Sequence, residues 1–489
     1  MYLNWLRADG VTALPRVSPA QLAFFGSLLL SLLAVAGTVT LAKDAARYLY
    51  VSQQIVEQGP RVAFELFSWP WFSLLLAATQ RLLGISLELA AYLWCAFLMA
   101  GTCALLVAIT QRFVIGSGYW ACLVVLSIPA FNHLRYDIIR EFGFWFFCTL
   151  ALWLALRWLE RAGWLRALLL QLAIVAAVLF RIEAVLLYPA LVLCLLADLK
   201  TRQAWIRLLQ INLLPLAGLL VAVVWLLSGH ALAQERVDYV LSLVSPQNFL
   251  ARFDLMASRF AEVALAKYSA DDARRIVFFG LLLTLISKFV ALCGPFALTL
   301  LYRPGWRGVG EFWHKLRPMA WAWLIYFGLL LIFFVQERFI NSRYVSFLNL
   351  LAVPLLTVFV VSFARDFPRL AKILVAVSLM VMLQNVVSFA PKKTHYLEAG
   401  AWLSQHTHPA DAIFYEDSRL AYYAGRGYPY MPFDREQAMS AEQAPNFRYF
   451  VLIDKPGDAA LQRWMAQQHK QVLSRFANRK GDAVLVIGD

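Results

Sequence analysis

The run Lys43-Asp44-Ala45-Ala46-Arg47-Tyr48 follows directly on a long apolar stretch. If residues 44–58 are helical, Asp44, Arg47, Tyr48, Val51 and Ile55 share one face through three- and four-residue spacing. A carboxylate in such a place can take a proton from a hydroxyl, and a planar guanidinium can bind two oxygens of a phosphate at once. Asp44 also stands where a helix would begin, so an N-cap suits it equally. A second cluster runs from Asn132 and His133 through Arg135, Tyr136 and Asp137 to Arg140 and Glu141, between two apolar stretches. A third is dispersed over Arg181 and Glu183, then over Glu337, Arg338, Asn341, Arg343 and Tyr344. Charges gathered at the ends of apolar segments either line a polar cavity or pair with one another as struts, and spacing alone leaves both open.

The elements that must carry these residues are membrane helices. Of the 489 residues, 61% are hydrophobic and 15% charged, against about 45–50% apolar and about 25% charged in soluble domains. The formal charge of +14 sits mostly in short runs between apolar segments, as topology signals do, which argues against a nucleic-acid partner. All six cysteines fall in apolar segments, which excludes a disulfide framework or a zinc ribbon. The division expected is a membrane domain over 1–390 and a small soluble α/β domain over 391–489. In that tail Ala412–Tyr415, Tyr449–Ile453 and Ala483–Ile487 read as buried strands, and Tyr396–His406 and Ala459–His469 as helices. His406 and His408, with Pro409 following, read as a solvated helix end rather than a metal pair.

Segments long enough to span lie near 21–42, 87–110, 117–133, 138–157, 164–181, 183–199, 208–229, 276–301, 318–336, 344–363 and 370–390, about eleven in all. The first reads as an uncleaved anchor, because the apolar run continues past Ala34-Val35-Ala36-Gly37. Segment 66–84 is shorter. If it lies at the interface, most loop arginines and lysines fall on one side, which puts the N-terminus in the cytoplasm and the tail outside, with outer loops over 43–86 and 230–275. Lys392 and Lys393 run against that count. The loop 230–275 carries Arg236, Asp238, Arg252, Asp254 and Arg259, and His230 and His314 read as loop-end residues.

Asp44-x-x-Arg47-Tyr48-x-x-x-Ser52-x-x-Ile55-x-x-x-Gly59 resembles the first outer loop of the GT-C glycosyltransferases, in particular the branch of the lipid A aminoarabinose transferases and protein O-mannosyltransferases. The resemblance extends to Ser68-Trp69-Pro70-Trp71 before a juxtamembrane helix ending at Gly84, to Arg135-Tyr136-Asp137, to Arg181-Ile182-Glu183 and to the exported tail. Two positions depart from it. Ala45 stands where the family often has a second acid, and Ser68 and Trp69 stand where the aminoarabinose branch commonly has a lysine.

The resemblance implies a polytopic α-helical membrane enzyme that takes a sugar, hexosyl or pentosyl, from a polyprenyl-phosphate donor. The acceptor is a hydroxyl of a lipid, glycan or protein at the outer face of the cytoplasmic (inner) membrane, and direct attack inverts the anomeric carbon. On that reading Asp44 is the general base and Arg47, Arg135, Arg181, Arg338 and Arg343 bind the donor phosphate, while Tyr48, Tyr136, Glu183 and Tyr344 line the substrate cavity. Asp137 orients the acceptor or, with Asp44, holds a divalent cation such as Mg²⁺ or Mn²⁺; no cofactor is required. The competing class is a transporter or flippase of lipid-linked sugars. It would place polar residues inside broken spans rather than gather them at one face.

Overall fold

The computed structural model describes residues 17–196, 198–227, 245–387, 392–454 and 458–489. His230, Arg236 and Asp238 of the expected loop, and the last residues of the spans expected at 208–229 and 370–390, lie outside the described residues. Among the described residues eight helices are long and apolar enough to cross a membrane, from Pro19–Ala36 to Pro368–Val386. The reason is the solvent: in hydrocarbon each backbone N–H and C=O must be satisfied within its own helix. Three shorter apolar helices, Gly118–Ser127, Trp164–Phe180 and Ile182–Leu196, occupy the third, fifth and sixth expected positions. The chain is a multi-pass membrane protein.

Several spans break where the hydropathy pattern runs on. The third ends at Ser127, because Pro129 cannot continue a helix and instead opens the short turn Pro129–Asn132. The fourth begins only at Glu141, so Arg135-Tyr136-Asp137 lies in a turn before the helix and not on its first turn. The span expected at 276–301 is α-helical only to Leu292; Gly294, at φ 58°, turns the chain into a 3-10 helix over Gly294–Leu301. Trp71–Leu83 is a helix of 13 residues, about 20 Å long against a hydrocarbon core of about 30 Å. Gly84, at φ 68°, ends it, donating its N–H to the Gln80 carbonyl at 2.8 Å.

The described residues form two compact units: those within Met1–Leu30, Phe97–Leu134 and Glu141–Asn385 in one, and those within Ser31–Ala96, Arg135–Arg140 and Val386–Asp489 in the other. In the first, Gly143 lets the Glu141–Glu160 helix close on Phe180, where a Cβ would meet the ring at 2.2 Å. Phe144 packs on Phe347 of the Ser342–Asp366 helix, with ring centroids 4.5 Å apart.

In the second unit the Lys43–Gln58 helix lies beside Trp71–Leu83. Ser52 and Ser73, both fully buried, each donate to the Tyr48 carbonyl, at 2.7 and 3.0 Å. Arg81 reaches the Ile55 and Val56 carbonyls from the other end. The tail folds around a four-stranded sheet in the order β1 (Ile413–Tyr415), β2 (Tyr449–Ile453), β4 (Ala483–Gly488), β3 (Gln471–Ala477). β1 runs parallel to β2, and β4 is antiparallel to both neighbours. Alternation along the strands sends Val451 and Val486 toward the Thr394–His406 helix, and Phe450 and Ile487 toward Leu461 and Trp464 of Ala459–Gln467. His406 stacks on Trp402 at that helix end, with centroids 4.5 Å apart. β3 escapes the hydropathy reading because it is an edge strand whose Gln471, Ser474 and Arg475 interrupt the apolar run.

The segment after the first span is tied to this tail. The Leu41 N–H donates to the Tyr423 hydroxyl at 2.6 Å, and Arg419 donates to the Leu41 carbonyl at 3.2 Å. Arg419 also clasps both oxygens of Asp417, the shortest contact being 2.7 Å. Burial pushes the Asp417 carboxyl up, but the Arg419 hydrogen bonds and charge outweigh it and hold the pKa below the ordinary 3.8. A depressed carboxyl stabilises the fold above its unfolded pKa, and that stability is lost as pH falls through the folded value. Acidification below about pH 4 is therefore expected to loosen the tail, and Asp417→Asn to flatten that part of the pH dependence, read as the melting temperature between pH 6 and pH 3.

Candidate functional site

Asp44 does not cap its helix. Ala42 holds the cap position without a side-chain bond, and Asp44 stands half-buried in the first turn, where the helix dipole favours an anion. One turn on, Arg47 is exposed and Tyr48 buried, its ring edge-on to Phe72 at 5.4 Å and tilted against Phe67 at 5.9 Å. Phe67 collects two cations. The Arg47 Cζ lies 4.4 Å and the Arg140 Cζ 5.9 Å from its ring centroid. Each contact is worth about 0.5–1 kcal/mol at an exposed site, and it orients the guanidinium without neutralising its charge. Among the described residues neither Arg47 nor Arg140 has a carboxylate within 4 Å.

The other residues of the second cluster divide. Arg135 is 2% exposed and donates to the Ser31 hydroxyl at 3.0 Å. Tyr136 is exposed, its hydroxyl pKa raised by burial of part of the ring and by Asp137, which is half-buried. Among the described residues no three His, Cys, Asp or Glu side chains gather to hold a metal ion, so Asp44 and Asp137 can offer a cation at most two carboxylates, a thin set for Mg²⁺ or Mn²⁺.

A cavity of about 1550 Å³ opens beside this helix within the same unit. Lys43, Arg47 and Tyr50 line one side of it, and Glu416, Tyr428, Tyr430, Asp434, Arg435 and Asp458 of the tail line the other. Tyr428 is close enough to Asp44 and Arg47 for both charges to act on its hydroxyl; burial, Asp417 and Asp44 push its pKa up to about 12, against the pull of Arg47. The sequence set Arg140 in the second cluster without a phosphate-binding role, and it pointed to neither Phe67 nor the tail residues that line the cavity. The aromatic-proline run Tyr428-Pro429-Tyr430 was the one signal available for the last.

In the first unit the dispersed third cluster comes together around Arg181. Arg181 is 8% exposed and bonds Glu141 at 2.6 Å, and it also pairs with Glu183. Arg343 approaches the same Glu141 oxygen at 3.5 Å, and the Tyr344 ring stands 4.8 Å from the Arg181 Cζ. Glu141, at 3% exposure, is the hub; the sequence set it in the second cluster with no role and no link to Arg181. Arg338 stands apart from this group, exposed at the C-cap of Arg317–Glu337 in the left-handed region at φ 59°.

No protein-family model and no curated protein sequence matches the chain. Solved structures do. ArnT from Cupriavidus metallidurans in the apo state superposes with a TM-score of 0.57 at 14% identity, covering 95% of this chain and 97% of that one. The same protein bound to undecaprenyl phosphate gives 0.58 at 13% identity with the same coverage. The chain has the GT-C fold. The Archaeoglobus fulgidus oligosaccharyltransferase, in a complex with zinc and sulfate, matches at 0.51 and 11% identity over 95% of this chain and 72% of that one. At such identities the likeness is one of fold. The GT-C architecture therefore frames the residues above, and their chemistry has to be argued from the residues themselves.

The buried hub gives a stability prediction. Glu141→Gln leaves two guanidinia facing each other without their shared anion and is expected to cost about 3–5 kcal/mol, measured by unfolding in detergent. The exposed pair Arg112–Glu160, at 40% and 56% side-chain exposure, is the control: Glu160→Gln should cost under about 1 kcal/mol.

Proposed function

We propose that the chain is an integral-membrane glycosyltransferase that moves a sugar from a polyprenyl-phosphate donor to an acceptor hydroxyl. The observation that carries this reading is the pair of guanidinia, Arg47 and Arg140, that share the Phe67 ring and, among the described residues, have no carboxylate within 4 Å, with Asp44 one turn before Arg47 on the same helix. A base beside an unmatched pair of cations is what transfer from a phosphate ester calls for. The fold likeness to an ArnT bound to undecaprenyl phosphate supports the same donor class.

In this mechanism Asp44 accepts the proton of the acceptor hydroxyl as its oxygen attacks the anomeric carbon. The bond from that carbon to the phosphate oxygen breaks, and the lipid phosphate leaves with the electron pair. Arg47 and Arg140 receive the charge that develops on it, through two-point hydrogen bonds to its oxygens. Attack from the far side inverts the anomeric centre. Arg181 and Arg343 already share Glu141 and act behind this pair, holding helix ends in place, while Arg135, with its donor to Ser31, braces the turn that carries Asp137. Asp137 orients the acceptor. The reaction belongs to the extracytoplasmic face, with the N-terminus in the cytoplasm, as the arginine and lysine distribution indicates.

The test is sugar release from a panel of polyprenyl-phosphate sugars in native membranes. Asp44→Asn keeps the size and hydrogen bonding of the side chain and removes the base. Turnover is expected to fall by about 10²–10⁴ with unfolding unchanged. Undiminished turnover in Asp44→Asn contradicts the role of Asp44, and release by neither protein from any donor contradicts the transferase reading in favour of a transporter.

A further inference from the structure

The cavity beside Asp44 is electrically two-ended. Lys43 and Arg47 stand at the membrane-helix side against the single acid Glu65, whereas the tail contributes Glu416, Asp434, Glu436 and Asp458 against the single cation Arg435. Arg435 is itself matched, to Asp458 at 2.6 Å and to Glu416 at 3.5 Å. The tail end of the cavity therefore repels anions, the opposite of what the donor phosphate needs.

The same end carries aromatic surface. Tyr430 is 89% exposed, so its ring face at this end of the cavity is open to a ligand. Its loop is built rather than slack. Gly425 and Gly427 adopt φ of 70° and 76° to make the turn, Pro429 and Pro432 fix their own φ, and Ser418 donates to the Pro429 carbonyl at 2.9 Å. A Cβ on Gly427 would come within 3.0 Å of the Tyr50 ring, so the loop backbone is pressed onto the Lys43–Gln58 helix, one turn from Arg47. Sugar rings present C–H faces that pack on tyrosine and hydroxyls that donate to carboxylates. A phosphorylated or otherwise anionic ligand gains nothing from this end.

Resting on the glycosyltransferase reading, we propose that the Tyr428-Pro429-Tyr430 loop is the acceptor platform, and that the acceptor is an uncharged, hydroxyl-rich glycan laid across Tyr430 with a hydroxyl directed toward Asp44. The cationic end then serves the donor phosphate, and the aromatic, acidic end selects the acceptor.

The test is a binding measurement, so it does not depend on turnover. Full-length protein in nanodiscs is titrated with three neutral probes, maltohexaose, mannohexaose and N-acetylchitohexaose, and with anionic hexagalacturonate. Binding of at least one neutral hexaose, weakened roughly tenfold by Tyr430→Ala, the equivalent of one aromatic contact of about 1.4 kcal/mol, and kept by Tyr430→Trp, supports the platform. Tyr430 is exposed, so the variant is expected to unfold at the wild-type temperature, and that is measured alongside. No neutral binding, equal binding by Tyr430→Ala, or tighter binding of hexagalacturonate overturns it. Sugar release from the donor panel is recorded separately in native membranes, which hold the natural acceptor. Release without neutral-glycan binding sinks the platform alone, and the absence of release across the donor panel sinks the transferase reading.

Discussion

The buried guanidinium of Arg181 sets the terms for the helices of its unit. It stands between the first turn of one helix, at Glu141, and the start of the next short helix, at Glu183, while Arg343 at the start of a third helix reaches the same Glu141 oxygen. In a chain this apolar, a charge with no partner would be too costly to bury. Three helix ends must therefore meet where these side chains can satisfy one another, and packing such as Gly143 on Phe180 follows from that meeting.

Against that background the cations left unmatched carry information. Arg181 and Arg343 are held by carboxylates and build the scaffold, whereas Arg47 and Arg140 are held by a ring. An aromatic face can orient a guanidinium without neutralising it. Phe67 thus leaves the charge available to an anionic ligand, which a carboxylate would not. The contrast separates residues of one chemical type into structural and functional roles, and it places the candidate chemistry beside the helix that also carries Asp44.

The spans were legible because hydrocarbon demands about 20 apolar residues in succession, and that demand is written locally. The breaks at Ile128–Pro129 and at Gly294 were not, since a hydropathy run does not register one proline or one positive-φ glycine inside it. Asp44, Arg47, Arg181 and Glu183 stood out as charges at span ends. Glu141 and Arg140 stood out too, but which charge meets which did not. Glu141 lies 40 residues from Arg181 in sequence, and no local pattern ties Phe67 to Arg140. Arg338 drew attention by its neighbours in sequence, yet it is an exposed cap residue. The tail's strands were readable where both faces are buried, as in β4, and hidden at the edge, as in β3. Its Tyr428-Pro429-Tyr430 loop gains meaning only from contact with Tyr50, more than three hundred residues earlier.

The central claim is that Arg47 and Arg140 form a seat for a lipid phosphate. Native mass spectrometry of the full-length protein with undecaprenyl phosphate tests it most directly, comparing wild type with Arg47→Gln/Arg140→Gln. The account predicts one tightly held lipid in the wild type and a loss of affinity in the double variant of tenfold or more, about 1.4 kcal/mol, with unfolding unchanged. Equal retention of the lipid by both proteins would contradict it.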